Sequence, residues 1–135
     1  MASHSEMSKS SPYKSTGGLG RIVRALRYSL QGLGAAWHNE AAFRQELALV
    51  VILTPLGLWL GASVIERLLL VSVLAFVLIV ELLNSAIEAL ADAISTDHHP
   101  LLGRAKDIGS AAVLLSLLLA GATWICILVP AYWPA

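Results

Sequence analysis

Three long apolar runs, separated by short polar clusters, dominate the chain. The first covers Leu47 to Val64, the second starts near Glu66 and continues to about Ile94, and the third goes from about Asp107 to Trp133. A hydrocarbon core about 30 Å thick is crossed by roughly 20 helical residues. The pattern therefore predicts three membrane-spanning helices, at about 45–64, 66–94 and 105–133. Pro55 lies inside the first, where neighbouring helices can cover the carbonyl it frees. Gly57 and Gly61 form a GxxxG pattern that suits a close-packing face. Pro130 and the aromatic pair Tyr132 and Trp133 close the third run in the manner of an interfacial belt.

Ahead of the spans the period changes. Over residues 19–38, Ile22, Val23, Leu26, Leu30, Leu33 and Trp37 fall within about a 100° arc of a helical wheel. Arg21, Arg24, Arg27, Tyr28 and Gln31 occupy the other side. This predicts an amphipathic surface helix lying in the headgroup plane; a partner-binding helix would show the same pattern. Residues 1–17 have no large aliphatic side chains and read as a disordered tail, leaving 18–135 as the single domain. No cleavable leader is expected from so polar a start.

Composition agrees with a membrane location. Hydrophobic residues make up 57% of the chain and charged residues 13%, which is too apolar for a soluble domain of this size. The charges cancel in sum but are unevenly placed. Lys9, Lys14, Arg21, Arg24, Arg27 and Arg44 precede the first span, Arg67 follows it, and Arg104 and Lys106 precede the third. The positive-inside rule puts the N-terminus and the 95–106 loop in the cytoplasm and the C-terminus outside. Cys126 stands alone, so no disulfide framework exists. Nucleic acid is not an expected partner.

The second run ends in an unusual way, with Glu81, Asn84, Ser85, Glu88 and Asp92 sharing about 100° of one helix face. At about 1.5 Å per residue from Arg67, Glu81 lies roughly 21 Å deep and Glu88 roughly 31 Å, near the cytoplasmic boundary. Charge at that depth is expensive and marks function. Polar residues at the same level include Asn39, Glu40, Arg44, Gln45 and Glu46 before the first span, and Arg104, Lys106 and Asp107 before the third. Carboxylates beside cations suit phosphate with a hard divalent ion such as Mg²⁺. The same carboxylates could instead form an ion pathway, and on physics alone enzyme and transporter stay equally open. Glu46 could serve the site or anchor an interface. His98 and His99 are adjacent and point in different directions, as solvated loop residues do. Three spans enclose little interior, so a site forms more easily between subunits.

The stretch Glu81-Leu82-Leu83-Asn84-Ser85-Ala86-Ile87-Glu88, with Asp92 four residues on, resembles the signature of the prokaryotic integral-membrane diacylglycerol kinases. Ala35 to Glu46 resembles that family's segment before its first span, and Gly103 to Val113 the start of its third; together the likeness covers about residues 20–130. It implies an all-α trimeric bundle of three-span subunits in the bacterial inner membrane, with the N-terminus cytoplasmic and the C-terminus periplasmic. Active sites would be shared between subunits of the homotrimer. The reaction implied is Mg²⁺-dependent transfer of the ATP γ-phosphoryl group to the primary hydroxyl of diacylglycerol, giving phosphatidate. A relative acting on undecaprenol is the nearest alternative; a small oligomeric ion transporter is the alternative from another class.

The resemblance also implies roles. Glu81 would be the general base, and Glu40 and Glu88 the Mg²⁺ ligands. Arg21, Tyr28, Asp97, His99, Lys106 and Asp107 would contact the nucleotide, while Ser29, Asn84, Glu46 and Ser110 would support the lipid and the reacting centre. The chain departs from the family pattern at Leu30, Ala91, Asp97, His98 and Pro100, none of them a residue with a proposed chemical step.

Overall fold

The computed structural model describes residues 18–132; the tail 1–17, with Lys9 and Lys14, and Trp133 of the terminal aromatic pair lie outside the described residues. Those residues form four helices: α1 (Gly18–Asn39), α2 (Ala41–Leu60), α3 (Val64–Ile94) and α4 (Pro100–Tyr132), and no strand is found among them. The last three are long and apolar enough to cross a membrane. α1 up to Ala35 is a unit of its own, and the chain from Ala36 onward is a second.

α1 and α2 are separated by one extended residue, Glu40, with φ −109° and ψ 108°. The last carbonyls of a helix have no partner within it and carry partial negative charge. Arg44 meets that need: its Nη1 donates to the carbonyls of Trp37 at 2.8 Å and His38 at 3.3 Å. The four-residue spacing of Glu40 and Arg44 could have given an ion pair, but the guanidinium turns to the helix end instead. Glu40 is left without that cation.

The α2–α3 turn is fastened by the two charges that follow it. Ser63 caps α3 by accepting from the Glu66 amide at 3.2 Å. The Glu66 carboxylate accepts from the Ala62 amide at 2.8 Å, and Arg67 Nε donates to the Gly61 carbonyl at 2.8 Å. A Cβ on residue 61 would stand 2.6 Å from Arg67 Cγ, so a side chain there would force Arg67 or the turn to shift.

α3 is the middle helix and packs against both α2 and α4. Its buried positions are Leu70, Leu74, Val77, Glu81, Asn84, Ser85 and Ala91. Most of them alternate spacings of four and three, the period of a helix-packing seam. Leu70, Leu74 and Val77 fill the first part with aliphatic carbon, and Glu81 and Asn84 then occupy positions where the seam calls for more of the same. At the aliphatic end the packing is close. A Cβ on Gly57 of α2 would touch Leu70 Cβ at 3.2 Å and the Trp124 ring at 3.3 Å. The Trp124 indole donates to the Leu70 carbonyl at 3.1 Å, tying α4 to α3. Tyr132 at the end of α4 reaches the Leu60 carbonyl of α2 at 3.2 Å. The outward faces carry large exposed apolar side chains, Trp59, Ile65, Leu115 and Leu118 among them, a surface that suits lipid rather than water.

Candidate active site

The polar half of the α3 seam gathers carboxylates from two other places. Glu81 is 3% exposed, and Asn84 and Ser85 are buried beside it. Glu40, from the α1–α2 junction, and Glu88, two turns along α3, lie close enough for their charges to act on Glu81. Glu46 on α2 faces the same group. Seven residues of helix separate Glu81 from Glu88, about 10 Å at ~1.5 Å per residue.

No cation among the described residues pairs with Glu81 itself. Among the described residues the only ion pair is Lys106 with Asp92, one turn beyond Glu88 on α3. One Glu46 carboxylate oxygen and Asn84 Oδ1 are buried without a hydrogen-bond partner. An uncompensated buried ion costs on the order of several kcal/mol even after relaxation, so this cluster is not there for stability. The unpartnered oxygens are acceptors with no donor among the described residues.

Asn84 is held by what α4 lacks. A Cβ on Gly109 would collide with Asn84 Oδ1. With no side chain there, α4 lies against the amide, and Asn84 Nδ2 points along α3 to donate to Glu88 Oε1 at 3.4 Å. Gly109, Ser116 and Ala120, all buried, form the small-residue face of α4 that permits this approach. Gly109→Ala is therefore expected to displace Asn84 and reduce turnover about 10²-fold, the usual consequence of an ångström-scale misplacement. Turnover of Gly32→Ala provides the comparison, since a Cβ there meets nothing within 4 Å.

Two cavities flank the carboxylates. One, about 260 Å³, lies between α2, α3 and α4; Val50, Leu53, Val77, Leu117 and Trp124 line it, and Glu46 is its one charged residue. The other, about 140 Å³ and polar, lies at the α3–α4 turn and is lined by Asp92, Ser95, Asp97, His99 and Lys106 among others. In that turn the Asp97 amide donates to Ser95 Oγ at 3.1 Å, and His99 Nδ1 accepts from the Leu101 amide at 3.3 Å. α4 starts at Pro100, a favoured first helical residue. Arg104, Lys106 and Asp107 thus stand on α4 itself rather than in a loop before it.

The expected site residues thus fall into groups. Glu40, Glu46, Glu81, Asn84 and Glu88 come together. Asp97, His99 and Lys106 share the polar cavity. Asp107 and Ser110 are exposed on α4. Arg21, Tyr28 and Ser29 belong to the first unit, where Ser29 Oγ donates to the Ala25 carbonyl at 2.9 Å. Gly109 and Asp92 carry no role in the sequence reading. The spacing of Gly109, Ser116 and Ala120, seven and then four residues, is a signal that could have exposed the first. Among the described residues no three His, Cys, Asp or Glu side chains are grouped closely enough to hold a metal alone. Mg²⁺ does not need such a group, since it takes one or two carboxylates and completes its shell with phosphate and water.

Comparison with known proteins shows the family. The family model for prokaryotic diacylglycerol kinase matches residues 27–128. The diacylglycerol kinase of Escherichia coli (strain K12) is 53% identical over 113 residues, covering 84% of this chain and 92% of the relative. That of Haemophilus influenzae is 48% identical over 112 residues, 83% and 94% of the two chains. The Pseudomonas aeruginosa diacylglycerol kinase is 50% identical over 118 residues, 87% and 96%. The matched region takes in the whole α3 stripe, the α1–α2 junction and the start of α4. By both the family match and the extent of these identities, the chain belongs to the prokaryotic diacylglycerol kinase family.

Proposed function

We propose that this protein transfers the γ-phosphoryl group of ATP to the primary hydroxyl of diacylglycerol, giving phosphatidate. The observation that carries the reading is Glu81: a carboxylate 3% exposed, set into the packing seam of a membrane-length helix, with further carboxylates close by and no cation on it. Its relatives of similar length are diacylglycerol kinases.

In this reading Glu81 is the general base. It accepts the proton of the lipid hydroxyl as that oxygen attacks the γ-phosphorus, and the β-γ bridging oxygen leaves with ADP. Removal of the proton at a fixed point is worth typically 10²–10⁴-fold in rate. Glu40 and Glu88 would hold Mg²⁺, which would supply neutralisation of the phosphate charge. Asn84, pinned against Gly109, orients Glu88 and stands at the reacting centre. Lys106 and Asp107 contact the nucleotide phosphates, and Asp97 and His99 its remaining portion. Glu46 and Ser110 support the lipid side. The apolar cavity takes part of an acyl chain, with Glu46 at its polar end as an acceptor for a glycerol hydroxyl.

The same reading makes α1 an amphipathic helix in the inner headgroup layer of a bacterial plasma membrane, and Arg21, Tyr28 and Ser29 keep the contacts that the family resemblance implies for them. The N-terminus is cytoplasmic and the C-terminus periplasmic, as the basic residues around α1 and α4 favour. Residues 18–135 form the kinase domain after a tail at 1–17. Glu40, Glu46 and Glu88 are only partly buried, which leaves room for a neighbouring subunit beside them and supports a homotrimer with active sites completed between subunits. A conduction pathway has no such support, because the seam of α3 beyond Glu81 is Val77, Leu74 and Leu70.

Purified protein in mixed micelles, given γ-labelled ATP with equal mole fractions of diacylglycerol and undecaprenol, is expected to place most of the label in phosphatidate. Label mainly in undecaprenyl phosphate would move the protein to the other lipid alcohol. Ion flux into liposomes without ATP would point to the transporter.

A further inference from the structure

Asp92 lies one turn beyond Glu88 on α3, and its Oδ1 accepts from Lys106 Nζ on α4 at 2.7 Å. Their side chains are 58% and 38% exposed. An ion pair this open to solvent adds little to stability, and the two helices are already joined by the buried seam and by Trp124. The pair therefore needs a reason other than holding α3 to α4. Both residues line the polar cavity of about 140 Å³ at the helix turn.

The chemistry of lysine supplies the reason. An ammonium has three N–H donors and no acceptor, and it sits on a flexible four-carbon stem that loses much rotamer freedom when fixed. One carboxylate oxygen engages one donor and leaves two for phosphate oxygens. Fixing the stem beforehand lowers the ordering penalty when an anion arrives. The Asp92 charge itself opposes an incoming phosphate, but at an exposed position that opposition is weakened by water and salt. We propose that Asp92 is a positioning residue for nucleotide binding, holding the Lys106 ammonium at the edge of the cavity so that its two remaining donors meet the phosphates. This rests on the reading of Lys106 as a phosphate contact.

The test uses the full chain in detergent micelles and equilibrium dialysis with the Mg²⁺ complex of a non-hydrolysable ATP analogue. Asp92→Asn is expected to weaken analogue binding roughly fivefold, a modest ordering effect, and to raise the KM for MgATP in parallel. Its kcat and its KM for diacylglycerol should stay within about twofold, and Asp92→Glu should recover most of the affinity. In a Lys106→Met background, Asp92→Asn should change analogue affinity no further. Unchanged or tighter binding by Asp92→Asn, where Lys106→Met binds weakly, overturns the inference alone. So does an equal effect of Asp92→Asn with and without Lys106. Unchanged affinity in Lys106→Met overturns the phosphate reading of the lysine, and this inference with it.

Discussion

Replacing Glu81 with Gln is expected to lower phosphoryl transfer by about 10²–10⁴-fold, the range over which a positioned base acts, while the protein folds and binds MgATP as before. Gln has nearly the same shape as Glu and keeps a carbonyl oxygen at the reacting point, so lipid binding should change little. What it cannot do is take up a proton. The electrostatics add a second signature. Glu81 sits among carboxylates and is buried, so removing its charge relieves repulsion. Thermal unfolding of Glu81→Gln in detergent should therefore come at the wild-type temperature or above it. Loss of activity together with retained or increased stability is the pattern of a residue kept for chemistry at some expense of fold. Loss of both would make Glu81 structural.

Glu88→Gln has the second large expected effect, of a different kind. Glu88 is only partly buried and lies about 10 Å along the helix from Glu81, at ~1.5 Å per residue. It receives the Asn84 amide, a neighbour that orients it. Deleting its charge leaves Glu40 as the remaining proposed Mg²⁺ carboxylate. The Mg²⁺ concentration for half-maximal turnover should rise at least about tenfold, as disturbing a metal's ligand environment commonly does, with part of the turnover restored at high Mg²⁺. An unchanged Mg²⁺ dependence would remove Glu88 from the metal site.

These two residues could be told apart from the sequence because both lie on one helix. The period and rise of a helix are local properties, so the shared face of Glu81, Asn84 and Glu88 and their separation in depth follow from counting residues. The three membrane-length helices follow from runs of apolar side chains for the same reason. What counting does not reach is the contact between helices. Nothing near Asn84 in the chain indicates that Gly109, twenty-five positions on, is the residue lying against it. Spacing proposed Arg44 as a partner for Glu40, and the unpaired carbonyls at the end of α1 proved the better acceptors. Glu66 and Arg67 look like an exposed pair in sequence, yet each binds turn backbone instead. Asp92 reads as the last member of the stripe until α4 brings Lys106 to it. In every case the deciding partner comes from another helix or from a backbone group freed by the fold.

The proposed division of labour within the stripe would account for polar residues in packing positions. A base must be shielded from water to act on a lipid hydroxyl, and a metal ligand must be reachable from the side where nucleotide arrives. The α3 seam runs from buried Leu70 and Glu81 to the partly exposed Glu88, as that proposal asks.

The most direct test of this division is turnover of diacylglycerol measured against Mg²⁺ concentration for wild type, Glu81→Gln and Glu88→Gln under one set of conditions. The expected result is a Glu81→Gln curve reduced in height with its midpoint unmoved, and a Glu88→Gln curve shifted to higher Mg²⁺. Two curves displaced alike, or a Glu81→Gln protein with wild-type turnover, would contradict the assignment of one base and one metal ligand.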